Sequence, residues 1–216
     1  MPWWGELIYA IGQCITLFPI AIGLYRIKHL NSSTLAVFFW MCSMLCIQVY
    51  STLQYNAGLV NLPSYHLMVF LNALFASYFF INILSNKILK WTVILSGFIL
   101  LVFLAINPFV FISMEKSNGL SMAIESYVFM VWCFMYLMEL LKREKVIQLF
   151  DSAPFFIVIG LLLYFGTAQF IQLLQWYVSR HIKELVHLFR YIDNSIMIVY
   201  YFIIGIGLWK TKLQKT

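Results

Sequence analysis

The chain has 216 residues, of which 63% are hydrophobic and only 10% are charged, and its formal net charge at pH 7 is +6. So few charges cannot cover the surface of a soluble domain, so the composition excludes an ordinary globular protein. The basic residues are spread over several loops instead of forming one patch, which argues against nucleic-acid binding. The composition therefore predicts a protein embedded in a lipid bilayer.

Seven apolar stretches follow one another along the chain, at about residues 5–25, 34–54, 64–84, 91–112, 121–141, 154–177 and 187–209. Each reaches the roughly 20 residues that a membrane-spanning helix needs, and only helices or closed barrels pair their backbone inside a bilayer. The pattern predicts an all-α membrane protein, a seven-transmembrane helix bundle forming a single domain over residues 1–216. The first stretch lacks a basic leader and a small-residue cleavage site, which predicts a retained helix. Pro19 and Pro108 are expected to bend or end helices.

Basic residues follow every second span and indicate the orientation of the bundle. Under the positive-inside rule, the N-terminus lies outside and the C-terminus in the cytoplasm, which predicts the cytoplasmic membrane. The predicted inner side carries ten of the 14 basic residues, namely Arg26, Lys28, Lys87, Lys90, Lys142, Arg143, Lys145, Lys210, Lys212 and Lys215. The outer side carries Lys116, Arg180, Lys183 and Arg190.

A faint internal repeat relates the third and seventh spans. Asn72, Tyr78, Phe80 and Ile81 match Asn194, Tyr200, Phe202 and Ile203 at one constant spacing. The glutamines of the second and sixth spans match at nearly the same spacing. Pairing spans 1–3 with spans 5–7 gives a 3+1+3 arrangement with both halves pointing the same way, as in some small transporters.

Polar residues gather in the outer halves of the spans. Ionisable side chains inside a bilayer usually face the bundle interior or a water-filled cavity. We therefore predict an outward-facing polar pocket that binds a small ligand. Its candidate residues are Glu6, Gln13, Asn72, Glu125, Gln169, Gln172, His187, Arg190, Asp193 and Asn194.

Asp193 is placed first in this pocket because it lies deepest among the charges, with Arg190 one turn away as a candidate ion partner. The alternative is structural, since amides inside membrane helices often only join helices together, and a histidine or arginine near a helix end can lie in the headgroup layer. For Asp193 the structural alternative is a plain buried ion pair.

Several kinds of chemistry lack the residues that they need. The seventh span has no interior lysine for retinal, and no nucleophile or phosphate-binding motif is present. Cys42 and Cys46 share a helix face without a second pair nearby, which favours small-residue packing over a metal site. The sequence therefore predicts neither an enzyme nor a bound cofactor or metal.

The segment from Ala153 to Thr167, followed by a last span that ends with Ile203 to Trp209, resembles small seven-helix membrane proteins of the Bacteroidota. Genes for such proteins often lie beside those of sensor histidine kinases and response regulators. The likeness covers about a quarter of the chain and is a pattern of apolar, glycine and aromatic residues. The family-like pattern has a histidine and an asparagine in the last span, where this chain has Asp193 and Asn194. The resemblance implies a membrane sensing component.

Together these observations predict a receptor-like sensing module that binds a small ligand and signals through a partner, such as a histidine kinase. A small-solute transporter built from the two repeats is the alternative, and a structural subunit of a membrane complex is the second alternative. The apolar outer belt would allow a homodimer, although nothing in the sequence specifies one.

Overall fold

The structure is a computed structural model that describes residues 3–110, 119–142, 150–181 and 186–211, with the side chains of 3–6, 9, 13, 168, 169, 172–181, 186, 187 and 190 left out of the description. These residues form eight α-helices and a short 3₁₀ turn, and no strand occurs among them. The helices are α1 (Trp3–Cys14), α2 (Leu17–Tyr25), α3 (Ser32–Asn56), α4 (Leu62–Ile83), α5 (Lys87–Val110), α6 (Gly119–Leu141), α7 (Ala153–His181) and α8 (Val186–Trp209). The all-helical fold is confirmed.

Within the part of the chain that the structure describes, five helical segments are long and apolar enough to cross a membrane, namely Ser32–Asn56, Leu62–Ile83, Lys87–Val110, Gly119–Leu141 and Tyr191–Trp209. The apolar stretches Ala10–Tyr25 and Ala153–Thr167 are shorter. Large apolar side chains point outward along these helices, as Phe98 and Phe109 of α5 do, at 66% and 76% exposure. An outer surface of this kind is stable against lipid and not against water, so the protein is a multi-pass helical membrane protein.

The first predicted span is not one continuous helix. It is interrupted at Ile15 and Thr16, inside the stretch predicted over 5–25, so this stretch consists of the two helices α1 and α2. Pro19 has no amide hydrogen to give to the carbonyl group of Ile15, which instead accepts a hydrogen bond of 2.9 Å from the amide of Phe18. The predicted effect of Pro19 is thus confirmed.

The other prolines differ according to their position in a helix. Pro63 and Pro154 lie in the first turns of α4 and α7, where the missing amide hydrogen has no intrahelical partner to lose. Pro108 lies near the end of α5, and the helix continues past it to Val110. Residues 111–118 lie outside the described residues, so the predicted effect of Pro108 stays a prediction.

The chain divides into two compact units, the first formed by residues 1–30 and 145–216 and the second by residues 31–144. In the second unit α4 packs against α3, α5 and α6, and α5 also packs against α6. The inward stripe of α5 includes Val93, Gly97, Leu100 and Leu104 at helical spacing, whereas the intervening positions face outward. We call this part of the molecule the four-helix unit.

Aromatic side chains form the centre of the four-helix unit. The Phe129 ring stacks on the Trp132 ring at 5.4 Å and meets the Trp40 ring edge-on at 6.4 Å. Phe80 adds a further edge contact to Trp132 at 5.7 Å. Both indole nitrogens donate hydrogen bonds across helices, from Trp40 to Asn72 at 2.7 Å and from Trp132 to Ser96 at 3.0 Å. The polar tips of these large side chains are therefore paired inside the apolar core.

The other unit is organised around α8, which packs against α1, α2 and α7. We call it the α8 unit. Small residues set its helix contacts: a Cβ atom added to Gly205 would lie 2.5 Å from the Phe18 ring, and one added to Gly207 would lie 2.7 Å from the side chain of Ile157. Glycine is needed at both positions because the neighbouring helices approach so closely.

Candidate functional site

The predicted site residues fall into two groups according to what the structure describes. Asn72 and Glu125 belong to the four-helix unit, and Asp193 and Asn194 belong to the α8 unit. The side chains of the other six, which are Glu6, Gln13, Gln169, Gln172, His187 and Arg190, lie outside the described residues. The ion pair between Asp193 and Arg190 and the pocket drawn from all ten residues therefore stay predictions.

Glu125 is the most deeply buried carboxyl group among the described side chains. It lies in the second turn of α6, and only 2% of its surface is exposed. The Asn72 side chain of α4 lies close to the Glu125 carboxyl group. The Oε1 oxygen of Glu125 has no hydrogen-bond partner among the described residues. This buried oxygen belongs to a helix long and apolar enough to span a membrane, and no donor among the described residues reaches it.

Trp40 orients the amide that faces Glu125. The indole Nε1 of Trp40 in α3 donates to Oδ1 of Asn72 in α4 at 2.7 Å. Because Oδ1 accepts this bond, the NH₂ group of Asn72 is the end left to donate to Glu125. One hydrogen bond thus joins α3 to α4 and leaves the amide nitrogen of Asn72 as the donor beside the Glu125 carboxyl group.

A second buried amide, from α5, contacts the same stretch of α6. The Nδ2 of Asn107 in α5 donates to Oγ of Ser121 at 2.6 Å, and Asn107 is fully buried. Its Oδ1 has no hydrogen-bond partner among the described residues. Ser121 is four residues before Glu125, so their side chains share one face of α6, about 5–6 Å apart at Cβ. Two unpartnered acceptor oxygens are thus brought to one stretch of the four-helix unit.

Two pairs of polar side chains at this end of the four-helix unit hold α3 and α4 together. Ser64 donates to Gln54 at 2.7 Å, and Asn61 donates to Ser51 at 3.1 Å, which closes the connection between α3 and α4. His66 is buried nearby along α4, and its Nε2 has no partner within the described part of the chain. Gln54 therefore fits the structural alternative, in which a glutamine inside the membrane only joins two helices.

The opposite end of the four-helix unit has its own carboxylate contact. Both carboxylate oxygens of Glu139 accept from the backbone amide of Ser85, at 2.9 and 3.2 Å. Glu125 and Glu139 both belong to α6 and are about 21 Å apart along its axis, at 1.5 Å per residue. The carboxyl group near the start of α6 thus contacts α4, and the one near its end contacts the segment just after α4.

In the α8 unit, the predicted residues Asp193 and Asn194 lie in the second and third turns of α8. Asp193 is only half-buried, so its carboxyl group is less enclosed than that of Glu125. Asn194 faces α1, because a Cβ atom added to Gly12 would lie 2.6 Å from its Oδ1. Thr16, at the interruption between α1 and α2, is fully buried and its hydroxyl oxygen has no partner among the residues described.

The other end of the α8 unit is basic and aromatic. The guanidinium group of Arg26 donates to the carbonyl group of Thr211 at 2.6 Å and lies 5.4 Å from the centre of the Trp209 ring. Lys210 pairs with Asp151 at 3.3 Å on the surface. A basic end with an interfacial tryptophan is what the positive-inside rule predicts for a cytoplasmic face.

Metal-binding side chains do not cluster within the described residues: no group of three or more histidine, cysteine, aspartate or glutamate residues is found there. The four cysteines are free thiols. The arrangement around Glu125 is instead suited to binding by hydrogen bonds and charge.

Sequence reasoning missed Trp40, which bonds to Asn72, and the pair formed by Asn107 and Ser121 one turn before Glu125. Ser121 is the one that the sequence could have indicated, because it lies four residues before Glu125 on the same helix face. A tryptophan in the middle of a span also needs an acceptor for its indole N–H, which is a signal for Trp40. Nothing in the sequence pairs Asn107 with Ser121, since that contact depends on how α5 packs against α6.

Comparison with known proteins adds no relative, because no family model, curated protein or solved structure matches the chain.

Proposed function

We propose that this protein is a receptor-like membrane sensing module whose four-helix unit recognises a small ligand at Glu125. The proposal includes seven spans with the N-terminus outside and the C-terminus in the cytoplasm. The observation that carries it is the Glu125 carboxyl group, which is 2% exposed inside a membrane-spanning helix and has one oxygen without a partner among the described residues.

The energetic argument favours recognition over a purely structural role for Glu125. A carboxyl group costs several kcal/mol to place in a bilayer interior, and an unpaired buried acceptor costs about 1–3 kcal/mol more. A structural carboxyl group would recover this by pairing both oxygens, as Glu139 does with the Ser85 amide. A ligand with a donor group or a positive charge would supply the missing partner for Glu125.

The contacts of α6 supply a route from the ligand to the other end of the unit. α6 is joined to Asn72 of α4 at Glu125 and to the Ser85 amide at Glu139. A ligand that binds one packing of α6 more tightly than another shifts the population toward that packing. The connection between α4 and α5 would move with it, at the end predicted to be cytoplasmic. A partner protein, such as a histidine kinase, would read this change.

Ligand-dependent thermal unfolding in detergent tests the proposal with a library of metabolites and lipids. We expect a ligand that raises the melting temperature of the wild type and not that of Glu125→Gln. Glu139→Gln is the matched control, because it removes a carboxylate from the same helix without touching the site. A ligand response that survives in Glu125→Gln would contradict the proposal. No response at all, with Glu125→Gln merely less stable, would favour a structural subunit.

A small-solute carrier is the second candidate, and a specific observation favours it. The first span is interrupted at Thr16, whose buried hydroxyl oxygen has no partner among the described residues. Interrupted helices with free polar groups form the substrate sites of several secondary transporters. Uptake of radiolabelled solutes into liposomes, lost in Thr16→Val or Asp193→Asn and kept in Glu139→Gln, would favour the carrier over the receptor.

The internal repeat receives mixed support from the packing. α4 and α8 are the matched helices, and each is the central helix of its own unit. Asn72 faces α6 and Asn194 faces α1, which are also equivalent under the repeat. However, Tyr78 is 50% exposed where the matching Tyr200 is 4% exposed. The carrier therefore stays second to the receptor.

A further inference from the structure

We infer that the side-chain oxygens of Asn107, Ser121 and Glu125 form a binding site for a small monovalent cation, for which sodium is the probe. This inference rests on the proposed function, because it assigns a class of ligand to the same carboxyl group. It goes further by adding two residues from the end of α5 and the start of α6 that the predicted pocket did not include.

The geometry supplies three oxygens on two neighbouring helices. Asn107 and Ser121 are joined by a hydrogen bond of 2.6 Å between Nδ2 and Oγ, which leaves Oδ1 of Asn107 as a free acceptor. Ser121 and Glu125 are one helical turn apart on the same face of α6. Carboxylate, amide carbonyl and hydroxyl oxygens are the ligands that hard cations prefer.

The charge balance points the same way. Two buried side-chain oxygens have no donor among the described residues, and a cation held between them would pair with both when the Glu125 carboxyl group is ionised. The lysines that the structure describes in the four-helix unit are Lys87, Lys90 and Lys142, and all three belong to the opposite ends of their helices. No lysine or arginine side chain within the described residues therefore lies at this end of the unit, where His66 is the one described basic side chain.

The surroundings favour an ion over a larger organic cation. Asn107, Ser121 and Glu125 are all at most 2% exposed, and Phe129, one turn beyond Glu125, is fully buried against Trp132. Oδ1 of Asn72 already accepts from Trp40, so the amide beside Glu125 offers a donor and not a further ligand oxygen. A compact ion fits such an enclosed group of oxygens better than a molecule does.

Thermal unfolding of the full-length protein in detergent tests the inference, with sodium chloride compared with choline chloride at equal ionic strength. We expect the melting temperature to rise saturably with sodium, by about 5 °C at concentrations well above the dissociation constant, and not with choline. Potassium and lithium chloride then define the selectivity for ion size. Direct binding is measured by equilibrium dialysis with radioactive sodium.

Variants separate this site from a general salt effect. Glu125→Gln abolishes the response to sodium, Ser121→Ala lowers the apparent affinity at least several-fold, and Glu139→Gln keeps the full response. Because Ser121→Ala removes one oxygen with little change in volume, it remains informative if Glu125→Gln does not fold. An equal response to sodium and choline, or an unchanged affinity in Ser121→Ala, would overturn the inference. A metabolite response lost in Glu125→Gln would leave the proposed function standing even then.

Discussion

The four-helix unit and the α8 unit use different kinds of contact to hold their helices together. In the four-helix unit, buried tryptophans reach across the core, and their indole nitrogens bond to Asn72 and Ser96 on other helices. In the α8 unit, Gly205 and Gly207 bring helices close enough that an added methyl group would overlap Phe18 or Ile157.

The difference matters because lipid offers no hydrophobic driving force between helices. Close packing of small residues and hydrogen bonds between helices are the two main sources of association in a membrane. Within the described residues, the α8 unit shows the first at Gly205 and Gly207, and the four-helix unit shows the second deep in its core. Hydrogen bonds are directional, so they also set the orientation of Asn72 beside Glu125. We place the ligand site in the four-helix unit because hydrogen bonds fix the orientation of the polar side chains in its core.

The largest expected effect tests the aromatic core. Trp132→Ala should lower the free energy of unfolding by about 3–5 kcal/mol, because it leaves a large cavity between Phe80, Phe129 and Ser96. Trp91→Ala is the control, since Trp91 of the same unit is 60% exposed, and it should cost less than about 1 kcal/mol. Denaturant or thermal unfolding in detergent measures both. Equal losses for the two variants would show that the aromatic core is not what holds this unit together.

A smaller effect tests the close helix contacts of the α8 unit. Gly207→Ala should cost about 1–3 kcal/mol of unfolding free energy, because its Cβ atom would lie 2.7 Å from Ile157 and 3.3 Å from the backbone of α7. Gly160→Ala is the matched control, with its nearest neighbour, Ile203, at 3.3 Å and no backbone atom among its close contacts. It should be near neutral, because alanine is a better helix former than glycine by up to about 1 kcal/mol. If Gly207→Ala were as stable as Gly160→Ala, the close approach of α7 and α8 would be refuted.

The smallest effect tests the surface ion pair of the α8 unit. Lys210→Ala should lower the free energy of unfolding by less than about 1 kcal/mol, because the Lys210 and Asp151 side chains are 38% and 67% exposed. High salt should reduce even this difference, since it screens exposed charges. Melting temperatures at low and high salt measure the effect. A loss well above this bound, unchanged by salt, would mean that the pair is more strongly coupled to the helix ends than its exposure indicates.

Much of the fold follows from the sequence alone. Apolar stretches of spanning length predicted where α3, α4, α5, α6 and α8 lie to within a few residues, because a helix must be long and apolar to cross a bilayer. Pro19 likewise indicated a bend in the first span, since proline removes a backbone donor wherever it occurs. These are local properties, and no packing information is needed to read them.

Tertiary packing decided the rest. The sequence put Asp193 first among the carboxyl groups, whereas the structure leaves it half-buried and encloses Glu125 almost completely. Burial depends on which face of a helix packs against its neighbour. The sequence does not show which face that is, because a membrane helix carries apolar residues all around it. The hydrogen bond between Asn107 and Ser121 likewise exists only because α5 packs against α6. Length and apolarity therefore determined the spans, and helix packing determined which of the described oxygens inside them lack a hydrogen-bond partner.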